Sequence, residues 1–352
     1  MKIKKSNEIE ELLKKINSTQ ESNLDFLILL RDYLYKKNDY INIEQKEKLD
    51  KTMLPLARFD IANYFVNFYS CINLKPYLED TLKGYEINYF INNPYYQLLK
   101  DVKIDENDWK ISSINIMPYE IFPCGDIIAQ RDDLRIYSKL GFFKEKYTYP
   151  SLSFLEQEWM SLSPNEIKTM EFPLSVIRGK VLVLGLGLGY FIYMASIKDK
   201  VDEIHVVEMD KELINLFQTR ILPKFPCAKK IHIHKAEAFS FLENIKDGEY
   251  RFIFSDLWHD YGDGLPIYIE LKKIFAHFKL TTCLYWIEDS ILTYFRMLVI
   301  RCILDEYFNI DNEYDEIQLK IIKALQSYKI NSRSELVNFF TIGKLYKLIE
   351  KL

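Results

Sequence analysis

The chain is 352 residues long, which at about 100–200 residues per domain predicts two or three domains. Its 47 Lys+Arg against 51 Asp+Glu leave a net charge of −4, which argues against a phosphate-coating surface and against nucleic acid as a substrate. With 48 % hydrophobic and 28 % charged residues it has the balance of a folded globular protein rather than a disordered one.

In chain order, apolar spacing at Ile9, Leu12, Leu13 and Ile16, then at Leu24, Phe26, Leu27, Leu30 and Leu34, predicts helices. Residues 1–108 are read as a helical N-terminal region. The first residues are basic but lead into a charged amphipathic stretch, without the apolar core of a signal peptide. Aromatic residues crowd 58–100 (Phe59, Tyr64, Phe65, Phe68, Tyr69, Tyr77, Tyr85, Tyr89, Phe90), which suits packing on a partner or a second domain and allows a homo-oligomer through this region. Between 109 and 160 the pattern becomes extended at 113–121, 126–131 and 135–149, with Gly125 and Gly141 placed for hairpin turns. A small antiparallel β unit is predicted there.

Ser163-Pro164-Asn165-Glu166 then reads as a capping box, with Ser at the N-cap, Pro at N1 and Glu at N3. From 161 to 310 strand and helix patterns alternate. Strands are predicted at 180–184, 203–208, 230–234, 251–256 and 281–287, and helices near 189–198, 210–219, 236–244, 265–278 and 290–304. This is the α/β signature of a Rossmann-like, doubly wound parallel sheet. Residues 311–352 read as a C-terminal helical extension ending in an amphipathic helix at 333–351. The longest apolar run, 181–197, contains three glycines and is flanked by Arg178, Lys180, Lys198 and Lys200, so it reads as a buried strand-turn-helix rather than a membrane span. The five cysteines (71, 124, 227, 283, 302) form no CxxC, which fits free thiols in the cytoplasm and gives no thiolate zinc site.

Glycine is scarce, eleven residues or about 3 % where about 7 % is ordinary. Three of them, Gly185, Gly187 and Gly189, follow the strand Val181-Leu-Val-Leu and precede a helix. Such a turn brings backbone against a ligand beside the partly positive helix N-terminus. The spacing is G-x-G-x-G with Tyr190 next, not the G-x-G-x-x-G of a dinucleotide site, so nicotinamide and flavin dinucleotides are disfavoured. Glu208 ends the second strand, where a carboxylate can hold the vicinal hydroxyls of a ribose. Glu237 follows the third strand, with Phe239 beside it, where an adenine could lie. Asp256 ends the fourth, ahead of a polar loop (257–264) that carries Gly262 and Gly264 and is read as free to move. The four strand ends together point to an adenosine-containing ligand.

The segments VLVLGLGLGY (181–190), HVVEMD (205–210), KAEAFSFL (235–242) and FIFSDLWHD (252–260) resemble the class I S-adenosylmethionine-dependent methyltransferases, and among them the branch similar to spermidine synthases. The resemblance covers about 165–300, plus the β unit ahead of it. It implies that Gly185, Gly187 and Gly189 approach the methionine part of S-adenosylmethionine, that Glu208 holds the ribose and Glu237 the adenine amino group, and that Asp256 lies at the acceptor. Val183 stands where many methyltransferases carry an acid, as in spermidine-synthase-like sequences. Those synthases carry Asp-x-x-Asp and a nearby Gly-Pro after the fourth strand. Here His259 stands three residues after Asp256, in place of the second Asp, and no Gly-Pro follows, which argues for methyl transfer over aminopropyl transfer.

The expected function is therefore an S-adenosylmethionine-dependent methyltransferase acting on a small polar or amine-bearing acceptor. A spermidine-synthase-like aminopropyltransferase and a non-enzymatic adenosyl-ligand-binding or interaction protein are the alternatives. Asp256 and His259 are the candidate catalytic residues, since carboxylate and imidazole both move protons near neutral pH. Trp258 and Tyr261 could stack on a cofactor or substrate. His232 and His234 share one strand face, but no third ligand is evident and no metal is expected. Asn93-Pro94-Tyr95-Tyr96 lies too far from the glycine turn in sequence to be read as catalytic. The stretch 156–159 could reach over the cofactor, although helix packing fits it better.

Overall fold

The computed structural model describes residues 1–35, 76–77, 81–106, 108–129 and 134–352. After a short strand β1 (Lys2–Ile3), the N-terminal apolar spacing forms one long helix, α1 (Asn7–Tyr35). Its stripe serves two cores in turn. Ile9, Leu13 and Ile16 pack with C-terminal helices, whereas Phe26, Leu29 and Leu30 pack with the β unit. Phe59, Tyr64, Phe65, Phe68 and Tyr69 of the aromatic stretch lie outside the described residues. Tyr77 stacks on Phe26 with ring centroids 4.9 Å apart, and Phe90 is fully buried in the main core.

A strand β2 (Leu82–Gly84) and two short helices, α2 (Ile87–Ile91) and α3 (Pro94–Leu99), precede the β unit. That unit comprises β3 (Asp105–Glu106), β4 (Trp109–Ile116), β5 (Phe122–Ala129), β6 (Ile136–Phe142), β7 (Tyr147–Phe154) and β8 (Gln157–Ser161). It is two sheets rather than one. The order β3-β4-β7-β8 is antiparallel throughout, while β2 joins β6 in parallel and β6 pairs β5 antiparallel. The glycines expected in hairpin turns sit inside strands instead. Gly125 takes φ +142° where the β5–β6 register shifts, a bulge that re-aims the strand. At Gly141 a Cβ would lie 2.4 Å from the Phe122 ring, so the residue makes room for an aromatic across the sheet. Residues 130–133, at the end of the expected strand 126–131, lie outside the described residues.

Helices α4 (Pro164–Thr169) and α5 (Glu171–Val176) lead into the large sheet. There follow β9 (Gly179–Leu184), α6 (Tyr190–Ser196), β10 (Val201–Glu208), α7 (Lys211–Leu216), β11 (Ile231–Lys235), α8 (Ala238–Leu242), β12 (Phe252–Ser255), α9 (Tyr261–Phe275), β13 (Thr282–Tyr285) and α10 (Glu288–Phe308). The strands pair in parallel in the order β11-β10-β9-β12-β13. This is the Rossmann-like, doubly wound sheet that the alternating pattern predicts. Along β9, Val181 and Val183 enter one core and Leu182 and Leu184 the other, so the strand is buried on both faces.

No further strand extends this sheet among the described residues. The chain continues through α11 (Glu316–Leu325) to β14 (Lys329–Ile330), which pairs in parallel with β1. The terminal helix expected at 333–351 is two helices, α12 (Arg333–Phe339) and α13 (Ile342–Ile349), separated by Phe340 and Thr341. Among the described residues no helix is long and apolar enough to cross a membrane.

Candidate active site

The strand order reverses between β9 and β12, and the crevice at such a switch point, outside the carboxyl ends of the strands, is where open α/β sheets bind ligands. The glycine turn occupies it. Gly185, Gly187 and Gly189 take φ of +96°, +52° and +86°. At Gly185 a Cβ would lie 2.0 Å from the Asp256 carbonyl oxygen, so two strand ends touch there, backbone to backbone. Asp256 N–H donates to Leu184 O and Gly185 N–H to Val207 O, which ties three neighbouring strand ends together.

Over Gly187 lies the side chain of Met160, from β8. A Cβ on Gly187 would stand 2.3 Å from its Sδ, and that sulfur accepts the Leu188 N–H at 2.9 Å. The cradle above the glycine turn thus holds a methionine side chain of the chain itself. Met160 follows directly on 156–159, the stretch given a helix-packing role by its sequence. Leu155 and Glu156, both at positive φ, turn the chain from β7 into β8, and 157–159 run in that strand, which delivers Met160 across the site.

Tyr95 also braces the turn, its hydroxyl donating to Leu188 O. Asn93 caps α3 by accepting from Tyr95 N–H at 2.9 Å, and its amide donates to the Tyr190 hydroxyl at 3.2 Å. The Asn-Pro-Tyr-Tyr segment therefore lies at the site although it is remote in sequence.

Glu208 links the second strand end to the glycine turn. Its Oε2 accepts from Leu186 N–H at 3.1 Å, and Oε1 accepts from Met209 and Asp210 N–H at 2.7 and 2.8 Å. Glu237 is exposed and caps α8, accepting from Phe239 and Ser240 N–H at 2.9 and 2.8 Å. Its slight burial would raise its pKa, but those backbone donors outweigh it and hold the carboxyl below the usual range. It is the helix-opening acid of its strand end, and these hydrogen bonds go to the backbone of its own helix.

Asp256 has a partner that the sequence does not announce. Glu166, at N3 of α4, is only 8 % exposed, and its Oε1 has no hydrogen-bond partner. The predicted capping box is half formed. Ser163 Oγ accepts from Glu166 N–H at 3.2 Å, but the buried Glu166 carboxyl does not return a hydrogen bond to the cap. Burial pushes Asp256 up to about 7. Burial, and then the Asp256 charge, hold Glu166 well above the carboxylate range. Charge on one of these desolvated carboxyls opposes ionisation of the other, so the two titrate as a pair.

His259 does not join this pair. It is exposed, its Nδ1 is 3.3 Å from Asp263 Oδ2, and its ring lies edge-on to Trp159 at 5.8 Å. Nor is Trp258 free to stack on a ligand. It is buried under the first turn of α9, where a Cβ on Gly264 would lie 2.8 Å from its ring. Gly262 and Gly264 belong to that helix, which starts earlier than expected because Asp260 and Asp263 close a capping box. The loop read as free is therefore short and capped.

A cavity of about 390 Å³ opens beside these elements, walled by Leu27 and Leu30 of α1 and by Trp286 and Ile287 after β13. Asn165, next to Glu166, and His259 supply polar groups. Ile287 holds φ +46°, a left-handed conformation that costs a β-branched residue about 1–3 kcal/mol and that concentrates at functional sites. Asn165, Glu166, Met160 and Ile287 carry no motif. The one sequence signal for them is the proline-bearing cap that starts α4.

No protein-family pattern matches the chain, and no curated protein matches it. Among solved structures it is similar to the bifunctional kinase-methyltransferase WbdD, with 19 % identity over 32 % of this chain and 24 % of that one, at a TM-score of 0.22. The chain thus spans about a quarter of the length of WbdD. It is also similar to MnmC2 from Aquifex aeolicus, with 11 % identity over 76 % of this chain and 98 % of that one, at a TM-score of 0.30. Similarity at this level carries no argument about activity, and the assignment to the Rossmann-like class rests on the parallel strand order and the glycine turn at its switch point.

Proposed function

We propose that the chain is an S-adenosylmethionine-dependent methyltransferase acting on a small polar or amine-bearing acceptor. The observation that carries this reading is the meeting of the glycine turn, Glu208 and the Asp256–Glu166 pair at neighbouring carboxyl ends across the switch point. The residues present fit the cofactor. The cradle over Gly187 already accommodates a methionyl thioether, that of Met160, and a bound methionyl group would take its place.

S-adenosylmethionine, when bound, supplies an electrophilic methyl group on a sulfonium. The chain's own residues do the rest. Glu208 Oε2 spends one lone pair on Leu186 and keeps another for a ribose hydroxyl. Glu237, exposed at the next strand end, can accept from an adenine amino group. Asp256 titrates at about 7 and Glu166 is held well above the carboxylate range, so near neutral pH the pair resists carrying two negative charges. Such a pair attracts a protonated amine and takes up its proton, freeing the nitrogen lone pair. His259 lines the adjoining cavity and is assigned to acceptor contact.

We place the chain on the spermidine-synthase-like branch, supported by the antiparallel sheet ahead of β9 and by Val183 within it, and we place it in the cytoplasm, in keeping with its free cysteines. The test is calorimetric titration with S-adenosylmethionine and S-adenosylhomocysteine, repeated on Gly187→Asp. Aspartate tolerates the left-handed conformation and displaces only a flexible side chain, so the variant is expected to fold and to lose binding. Absence of binding in the native chain, or unchanged binding in the variant, would overturn the reading. Turnover of the decarboxylated donor alone would redirect it to aminopropyl transfer.

A further inference from the structure

Histidine is scarce in this chain, five residues in 352, and three of the five meet on one patch of sheet. The parallel register sets His205 of β10 opposite His232 of β11, and the two-residue period of a strand puts His234 on the same face. The ring of His205 stacks on His234 at 5.1 Å between centroids and lies 4.9 Å from His232. Glu203, two residues before His205, completes the group. The third and fourth members come from the neighbouring strand, which is why the His232/His234 pair looks incomplete in sequence.

The hydrogen bonding within the group is directional. His205 Nδ1 and His234 Nε2 are 2.8 Å apart, so one of them carries a proton and the other accepts it. With the proton on His205 Nδ1, its Nε2 lone pair faces Glu203 Oε2 at 3.4 Å. In that tautomer the two lone pairs repel unless a cation lies between them, whereas in the other tautomer the ring donates to Glu203. Ligands of a tetrahedral zinc ion, bound at about 2.0–2.2 Å, stand about 3.4 Å apart. One ligand atom each from Glu203, His205 and His232 lies within 4.8 Å of the others, so shifts on the order of 1 Å in side chains complete the set.

We propose that Glu203, His205 and His232 form a binding site for a divalent transition cation, zinc in the first instance, with water as fourth ligand. Imidazole and carboxylate donors with one open position suit that ion. His234 fixes the tautomer of the ligating His205 ring, as a hydrogen-bond partner behind a metal ligand does. Lys180 Nζ, 3.9 Å from Glu203 Oε2, competes for the same carboxylate. The site staples the edge strand β11 to β10, three residues along the strand from Glu208. It stands apart from the cavity and from the proposed transfer chemistry.

The test is calorimetric titration of the full chain with zinc chloride after chelator treatment, together with the visible spectrum of the cobalt(II) form. One ion per chain is expected, with a cobalt spectrum free of thiolate charge-transfer bands. Glu203→Gln and His232→Gln, both at exposed positions, should each weaken binding at least tenfold. Lys180→Met should tighten it, and His277→Asn should leave it unchanged. No zinc uptake, uptake unaltered in Glu203→Gln and His232→Gln, or a thiolate band in the cobalt spectrum would each overturn the proposal.

Discussion

At the scale of single residues, the site is governed by what stands against the glycine turn. Met160 covers Gly187, and on the proposed reading it gives way to the methionyl group of the cofactor. Burying a methionine is worth about 1.5–3 kcal/mol, and only part of that contact is lost when the side chain swings out. Met160→Ala removes the competitor, so S-adenosylmethionine should bind about tenfold more tightly, equivalent to about 1.4 kcal/mol, in a calorimetric titration. Equal or weaker binding would mean that Met160 stays and packs beside the ligand.

Asp256 makes a second prediction at this scale. Its folded pKa of about 7 lies above its unfolded value of about 3.9, so the folded state binds the extra proton between these limits. The associated stability is present below about pH 4 and is lost as pH rises through 7. Asp256→Asn, neutral at every pH, should therefore raise the melting temperature at pH 8 and change it little at pH 4. In the pH profile of kcat/KM the limb that rises toward pH 7 should vanish with it. A pH-independent effect on melting would show that the carboxyl is not desolvated as described.

At the scale of elements, the same residue type has opposite consequences in different places. Gly185 ends β9 at φ +96°, with a backbone oxygen 2.0 Å from where a Cβ would stand. Gly185→Ala pays a left-handed penalty of about 1–2 kcal/mol and in addition forces β9 and β12 apart. Gly343 lies near the start of α13 with nothing within 4 Å of a Cβ. Gly343→Ala should stabilise the protein by about 0.5–1 kcal/mol through helix propensity. Thermal denaturation of the two variants should move in opposite directions. A helix start was readable because its signal is local: Ser163 caps where expected. Local signals misled at Gly125 and Gly141, since a bulge and an aromatic contact ask for the same residue as a turn does.

At the scale of the molecule, one core joins the β unit to the large sheet. Trp109, Phe143 and Tyr147 share a cluster with Val181, Val183 and Phe254. Phe143 is fully buried, so Phe143→Ala should cost about 3–5 kcal/mol. If the units fold together, near- and far-ultraviolet unfolding curves of the variant should still coincide. Two separated transitions would mean that the β unit unfolds on its own. The parallel sheet and the glycine turn were legible in the residues themselves, because strand-helix alternation and glycine spacing are properties of neighbours in the chain. Gly185, Glu208 and Asp256 could be placed at strand ends for the same reason. Glu166 beside Asp256, Met160 over Gly187, Tyr95 on Leu188 and His205 among the other histidines join residues up to 93 positions apart. Those pairings depend on how the sheets and helices pack against one another, and no local pattern of polarity or backbone preference records that.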